Sequence, residues 1–262
     1  MNWSDVVKER VQTLTPVNPN QALIDKLFNL IDLTSLNESD TDSSIAALCE
    51  KATSPFGHVA AVCVYPRFVR LVAEQFASTP IKTAAVANFP HGTESLESTL
   101  IDISQALQEG AQEIDVVFPY TRYLAGERQY AQQFVTACKA ACGEEVTLKV
   151  IIETGALNDP AIIADASLDV LTAGADFIKT STGKIAEGAT LEAAATMLLV
   201  IQHATPLLKR PLGLKISGGI REVAQAAQYV ELADQIMGRD WVTPQTFRIG
   251  ASKLVEVILA SM

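Results

Sequence analysis

Apolar residues along this chain follow two alternating rhythms. Short runs dense in Val, Ile, Leu and Ala are separated by longer stretches whose apolar positions recur every three or four residues. The first rhythm predicts buried parallel strands and the second amphipathic helices. Strands are predicted over Leu30–Leu33, Val59–Val64, Ile81–Ala87, Glu113–Phe118, Val146–Glu153, Ala175–Thr180, Leu212–Ile216 and Phe247–Ile249. Helices are predicted after them, over Thr41–Lys51, Pro66–Phe76, Thr93–Gln108, Arg128–Ala141, Asp159–Thr172, Thr190–Gln202, Arg221–Leu232 and Ser252–Leu259. Eight strand–helix units at intervals of roughly 25–35 residues fit a single (β/α)8 TIM barrel of ordinary size. An open doubly wound sheet has the same alternation, but no Gly-rich nucleotide fingerprint follows the first strand here.

Residues 1–28 read as an N-terminal helical extension that packs on the barrel. Its first helix carries Trp3, Val6, Val7, Val11 and Leu14 on one side and breaks at Pro16 and Pro19; Asn20 then caps a second helix through Leu27. No linker or change of composition interrupts residues 1–262, so one domain is expected.

Composition narrows the partners. The chain is 48% hydrophobic with a formal net charge of −10, which supplies a core and argues against nucleic acid or an anionic membrane surface. A small phosphorylated substrate needs only local positive charge. The segment Met1–Leu14 is charged and amphipathic rather than a signal peptide. No apolar run is read as reaching the ~18 residues of a membrane span. A cytoplasmic protein is expected, with a homodimer as the assembly to test for. Cys49, Cys63, Cys138 and Cys142 are too few for a disulfide framework and are expected to be reduced and buried. His58, His91 and His203 lie far apart, without zinc-site spacing. Neither a metal nor a cofactor is expected.

The strands carry an anomaly. Asp32, Asp115, Lys149, Glu153, Lys179 and Lys215 sit in otherwise apolar runs, each at a parity that can face the barrel interior. A structural salt-bridge network, pairing Asp115 with Lys149 or Lys215 and Glu153 with a lysine, accounts for any one of them. Two lysines at the carboxyl ends of adjacent strands repel, however, and chemistry gives that arrangement a use. A lysine attacks a carbonyl only as the free amine. Lys215 beside Lys179, with Phe177 and Ile178 around it, supplies the cation and the apolar surroundings that favour the free amine. Asp115 and Lys215 could then shuttle protons.

The late loops carry a second theme. Ser181-Thr182-Gly183-Lys184 follows the sixth strand, Ser217-Gly218-Gly219 the seventh, and Gly250-Ala251-Ser252-Lys253 the eighth, the last two each read as opening a helix. Backbone N–H groups at such turns bind anions, and the loops after strands seven and eight are the usual phosphate position in this fold.

These residues closely resemble the deoxyribose-phosphate aldolase family, class I aldolases of TIM-barrel fold, from about Leu30 to Leu254. The resemblance rests on Phe-Ile-Lys-Thr-Ser-Thr-Gly-Lys (177–184), Glu-Ile-Asp-Val-Val-Phe-Pro-Tyr (113–120), Lys-Val-Ile-Ile-Glu-Thr-Gly (149–155), Ala-Val-Cys-Val-Tyr-Pro (61–66), Asn-Phe-Pro-His-Gly (88–92) and Leu-Lys-Ile-Ser-Gly-Gly-Ile-Arg (214–221). It implies reversible cleavage of 2-deoxy-D-ribose 5-phosphate to acetaldehyde and D-glyceraldehyde 3-phosphate. It implies Lys179 as the Schiff-base lysine and Asp115 with Lys215 as the proton-transfer pair. Gly183, Lys184, Gly218, Gly219, Gly250 and Ser252 fall where the family binds phosphate, with Thr182 in the same turn, and Asp32 and Thr34 where it lines the sugar pocket. The chain departs from the pattern at Lys253, where some relatives have serine, and in ending Ser261-Met262 without a tyrosine-bearing tail. The alternatives are another Schiff-base barrel enzyme acting on a different phosphosugar, or a catalytically inactive phosphosugar-binding regulator.

Overall fold

The computed structural model describes residues 3–55 and 57–261. At its centre eight parallel strands close into a barrel: β1 (Ile31–Thr34), β2 (Ala61–Val64), β3 (Lys82–Ala87), β4 (Glu113–Val117), β5 (Thr147–Ile151), β6 (Phe177–Lys179), β7 (Gly213–Ser217) and β8 (Phe247–Ala251). Pairing of β1 with β8, Asp32 opposite Gly250, closes the ring and rules out the open sheet. The helices are α1 (Trp3–Gln12), α2 (Gln21–Asn29), α3 (Asp42–Glu50), α4 (Val69–Phe76), α5 (Leu96–Gln108), α6 (Tyr120–Leu124), α7 (Arg128–Cys142), α8 (Thr154–Leu157), α9 (Pro160–Thr172), α10 (Leu191–Leu208), α11 (Val223–Met237) and α12 (Lys253–Ser261). A short antiparallel ladder, Thr53–Ser54 with Gly57–His58, was not predicted.

Helices α1 and α2 precede the first strand. Asn20 caps α2 by accepting from the Leu23 N–H at 3.0 Å. Helix α1 lies on α9 and α10, and α2 on α11 and α12. Two helix ends differ from the sequence reading. Helix α5 starts at Leu96 because Ser95, not Thr93, supplies the cap, accepting from the Ser98 N–H. Helix α10 runs on to Leu208, since Pro206 lies within its last turn, where the missing N–H costs one bond rather than the helix. The expectation that no segment reaches membrane-spanning length therefore fails: α10, at 18 residues and mean hydropathy 1.3, is long and apolar enough. Half of it is buried within the fold, where it packs on α9 and α11.

Side chains alternate along each strand, so one set fills the barrel and the other meets the helices. The interior is divided. On β2 and β3 it is apolar: Ala61, Cys63, Ala84 and Val86 cluster with Leu36, Tyr65 and Phe89. On β4 through β8 and β1 it is charged, with Glu113, Asp115, Lys149, Lys179, Lys215, Arg248 and Asp32 all buried. Phe177 lies on this side too, its ring where a Cβ on Gly213 would come within 2.3 Å. Only glycine at 213 leaves room for it. All four cysteines are free and buried.

Candidate active site

The charged arc centres on Asp115. Register sets Asp115 opposite Lys149 and Lys179 opposite Lys215, and the barrel's curvature turns these side chains onto one carboxylate. Lys149 Nζ donates to Asp115 Oδ1 at 2.8 Å; Lys179 Nζ and Lys215 Nζ both donate to Oδ2 at 2.7 Å. Lys215 also reaches Asp32 Oδ2 at 2.6 Å. Arg248 Nη1 donates to Asp32 Oδ1 at 2.6 Å and Nη2 to Glu113 Oε1 at 2.9 Å, while Glu113 Oε2 lies 2.6 Å from Lys149 Nζ. The Asp115 part of the salt-bridge network considered from sequence is thus present, and it includes the three residues expected to carry chemistry.

Burial alone would keep Asp115 protonated, but Lys149, Lys179 and Lys215 outweigh it and hold the carboxyl well below the usual range. The two neighbouring lysines move in opposite directions. Burial depresses Lys179, Asp115 opposes that, and the charge of Lys215 adds to the depression, so the amine lies below the ordinary lysine value. Lys215 is equally buried, yet Asp115 and Asp32 together raise it above that value. Of the two apolar neighbours named from sequence, Phe177 shares the face of Lys179, whereas Ile178 lies on the opposite face, toward the helices.

Above the network lies a cleft of about 250 Å³, lined among others by Thr34, Thr182, Gly183, Lys184, Gly218, Gly219, Gly250 and Ser252. Lys179 is the one member of the charged arc that lines it. Positive φ at Gly183 (75°), Gly218 (90°) and Gly219 (87°) turns the backbone there into conformations that favour glycine. Lys184 Nζ crosses the mouth to the Leu36 carbonyl.

Several expected positions differ. Asp32 does not line the cleft; it lies beneath it, its carboxylate taken by Lys215 and Arg248. Glu153 is not paired with a lysine. Strand β5 stops at Ile151, and Glu153 adopts a left-handed backbone (φ 56°, ψ 67°) that swings its carboxylate to Thr182, accepting from the hydroxyl at 2.5 Å and from the N–H at 3.3 Å. Burial pushes Glu153 upward from the ordinary glutamate value. The Gly218-Gly219 turn does not open a helix, because Ile220–Glu222 intervene before α11; Ser252, by contrast, leads directly into α12. Gly250 has a spatial duty as well: a Cβ there would lie 3.1 Å from the Lys215 stem and 2.9 Å from Ser217 Cβ.

Three charged residues of the site escaped the sequence reading. Glu113 has the parity of Asp115 and was readable from it. Arg248 falls in a short strand, and its inward direction becomes plain only from its register with Lys215. Arg221 brings a further cation to the cleft.

The profile of the DeoC/LacD family aldolases matches residues 26–250, most of the chain and every strand that builds the site except the last residue of β8. The chain belongs to the DeoC/LacD aldolase family. It is therefore an aldolase, a carbon–carbon lyase. Two solved structures similar to this family member are described as provisionally assigned deoxyribose-phosphate aldolases. One, from Toxoplasma gondii ME49, is 27% identical, with 92% of this chain and 94% of that one covered at a TM-score of 0.83. The other, from Coccidioides immitis, is 28% identical, with 99% and 96% covered at 0.78. The deoxyribose phosphate aldolase of Aeropyrum pernix, described as tetrameric, shares the fold at 24% identity and a TM-score of 0.73, with 98% and 97% covered.

Proposed function

We propose that this aldolase cleaves 2-deoxy-D-ribose 5-phosphate reversibly to acetaldehyde and D-glyceraldehyde 3-phosphate through a Schiff base on Lys179. One observation carries the assignment: among the seven charged groups of the interior, Lys179 alone borders the cleft, and it is depressed while its neighbour Lys215 is raised. A free amine there can attack the C1 aldehyde. Loss of water from the carbinolamine gives an iminium ion, an electron sink for breaking the C2–C3 bond. The 3-hydroxyl proton leaves as glyceraldehyde 3-phosphate departs; the enamine takes a proton at C2, and hydrolysis frees acetaldehyde and the lysine. Asp115 and Lys215, within one hydrogen bond of the Lys179 nitrogen or of each other, are assigned to hold and return the protons moved at that nitrogen.

The phosphate is assigned to the turns after β6, β7 and β8, with Lys184 and the Gly218–Gly219 N–H groups as donors. Thr34 is assigned to the sugar side. The likeness to the T. gondii and C. immitis proteins supports the choice of substrate. The test is borohydride reduction with acetaldehyde followed by peptide mapping: a two-carbon label on Lys179 is expected. Label on Lys149 or Lys215 with Lys179 bare would overturn the assignment.

A further inference from the structure

The interior ion cluster is unbalanced in composition. Linked by contacts of 3.5 Å or less are three carboxylates, Asp32, Glu113 and Asp115, and four bases, Lys149, Lys179, Lys215 and Arg248. If every group were charged, one positive charge would stand uncompensated among almost wholly buried groups, which is costly. One base is therefore favoured to be neutral, and the contacts single it out. Lys149 touches all three carboxylates; Lys215 touches Asp32 and Asp115; Arg248 touches Asp32 and Glu113. Lys179 touches Asp115 alone and shares that oxygen with Lys215.

We propose that Glu113 and Arg248, which do not border the cleft, are positioning residues whose charges govern whether Lys179 is a free amine. The proposal rests on the reading of Lys179 as the Schiff-base lysine. Two hydrogen-bonded routes connect them. One runs from Arg248 through Glu113, Lys149 and Asp115 to Lys179; the other runs through Asp32, Lys215 and Asp115. Arg248 supplies a guanidinium that stays protonated, a fixed charge rather than a titrating one. Its fork spans Asp32 and Glu113 and shares their compensation with Lys215 and Lys149, while Asp115 is contacted by all three lysines.

The other groups around Lys179 are Cys63 on β2 and Glu153 beyond β5. Cys63 Sγ is 4.0 Å from Asp115 Oδ2, and burial pushes its thiol upward, away from the thiolate. Glu153 is committed to Thr182. Neither makes an ion pair within the cluster.

The sign of each change follows. Removing the Glu113 charge leaves more positive potential in the cluster, and Lys179 should give up its proton at lower pH. Removing the Arg248 charge leaves a carboxylate short of a partner, and Lys179 should keep its proton to higher pH. Removing both restores the balance. A purely structural network would weaken the fold in both single variants without moving Lys179 in opposite directions.

The experiment is the pH dependence of borohydride trapping with acetaldehyde, read by mass on the intact protein and mapped to Lys179. Glu113→Gln should lower the midpoint and Arg248→Met should raise it, each by on the order of one pH unit, or about tenfold in free amine at fixed pH. The double variant should return to the parent midpoint, and Arg248→Lys, which keeps the charge, should never leave it. If Arg248→Met does not fold, the lowered midpoint of Glu113→Gln against the restored one of the double variant decides. A Glu113→Gln midpoint equal to the parent's, or shifts of the same sign in both single variants, overturns the proposal. Parent protein labelled on a lysine other than 179 instead overturns the reading beneath it.

Discussion

Lys179 and Lys215 stand opposite each other on neighbouring strands and donate to the same oxygen of Asp115, each at 2.7 Å. Two ammonium groups on one oxygen repel, and the strain is relieved most cheaply by the lysine with fewer carboxylates. Lys215 has a second one in Asp32, whereas Lys179 has none. A pair that looks symmetric in sequence is therefore asymmetric in charge.

Separating the two lysines tests that asymmetry. Lys179→Leu should abolish trapping and turnover together. Lys215→Leu should keep trapping while lowering turnover by about 10²–10⁴-fold, the usual scale for a lost proton-transfer partner. Lys215 lowers the Lys179 value, so its removal raises that value and trapping in this variant should improve as pH rises. A trapping profile unchanged in rate and pH dependence would show that Lys215 has no hold on Lys179.

Lys184→Ala and Gly219→Asp test the phosphate assignment. Each should raise KM for deoxyribose 5-phosphate by tenfold or more, taking about 1.4 kcal/mol per factor of ten. Cleavage of unphosphorylated deoxyribose should be nearly unaffected. The aspartate adds strain as well as charge at φ 87°, so the alanine variant is the cleaner comparison. Equal losses on both substrates would make these turns structural.

Gly213→Ala tests the packing beneath the site. The new methyl would sit 2.3–2.5 Å from three carbons of the Phe177 ring, and overpacking of this kind costs about 1–3 kcal/mol. Thermal unfolding should fall by several degrees. Adding Phe177→Leu should recover part of the loss, and no recovery would place the clash elsewhere.

Glu153 gives a pH signature in stability. Its folded value is raised by burial, so the stability it contributes is present below the ordinary glutamate value and lost as pH rises through the folded one. Glu153→Gln cannot ionise and retains hydrogen bonding to Thr182. Its stability relative to the parent should therefore increase as pH rises from the ordinary glutamate value through the raised folded one. A constant difference across that range would mean that the parent's Glu153 does not change charge there.

Much of the barrel is legible in the sequence because its strands are apolar runs and its helices are periodic. The eight strands lie within or beside the predicted runs, and Asp115, Lys179 and Lys215 stand out because charge in such a run demands a reason. What stayed hidden depends on register or on local backbone. Arg248 occupies a three-residue predicted strand, too short for alternation to declare its direction. Glu153 keeps the inward parity of Lys149 on paper, but the strand ends two residues earlier and a left-handed residue sends its carboxylate elsewhere. Asp32 has the right parity and the wrong depth, which only the closed ring reveals.

The division of the barrel interior means that freedom to vary is unevenly distributed around it. On the β2–β3 wall, Ala61, Ala84 and Val86 carry no charge and cluster with apolar side chains, so a change of size in one of them acts first on shape. Across the barrel, any single loss of charge alters the electrostatic balance of the connected groups, and removing a charge there without that effect requires a second, opposite substitution. Gradual drift, whether natural or in a laboratory selection, should accumulate on the apolar wall while the charged arc stays fixed or changes in pairs.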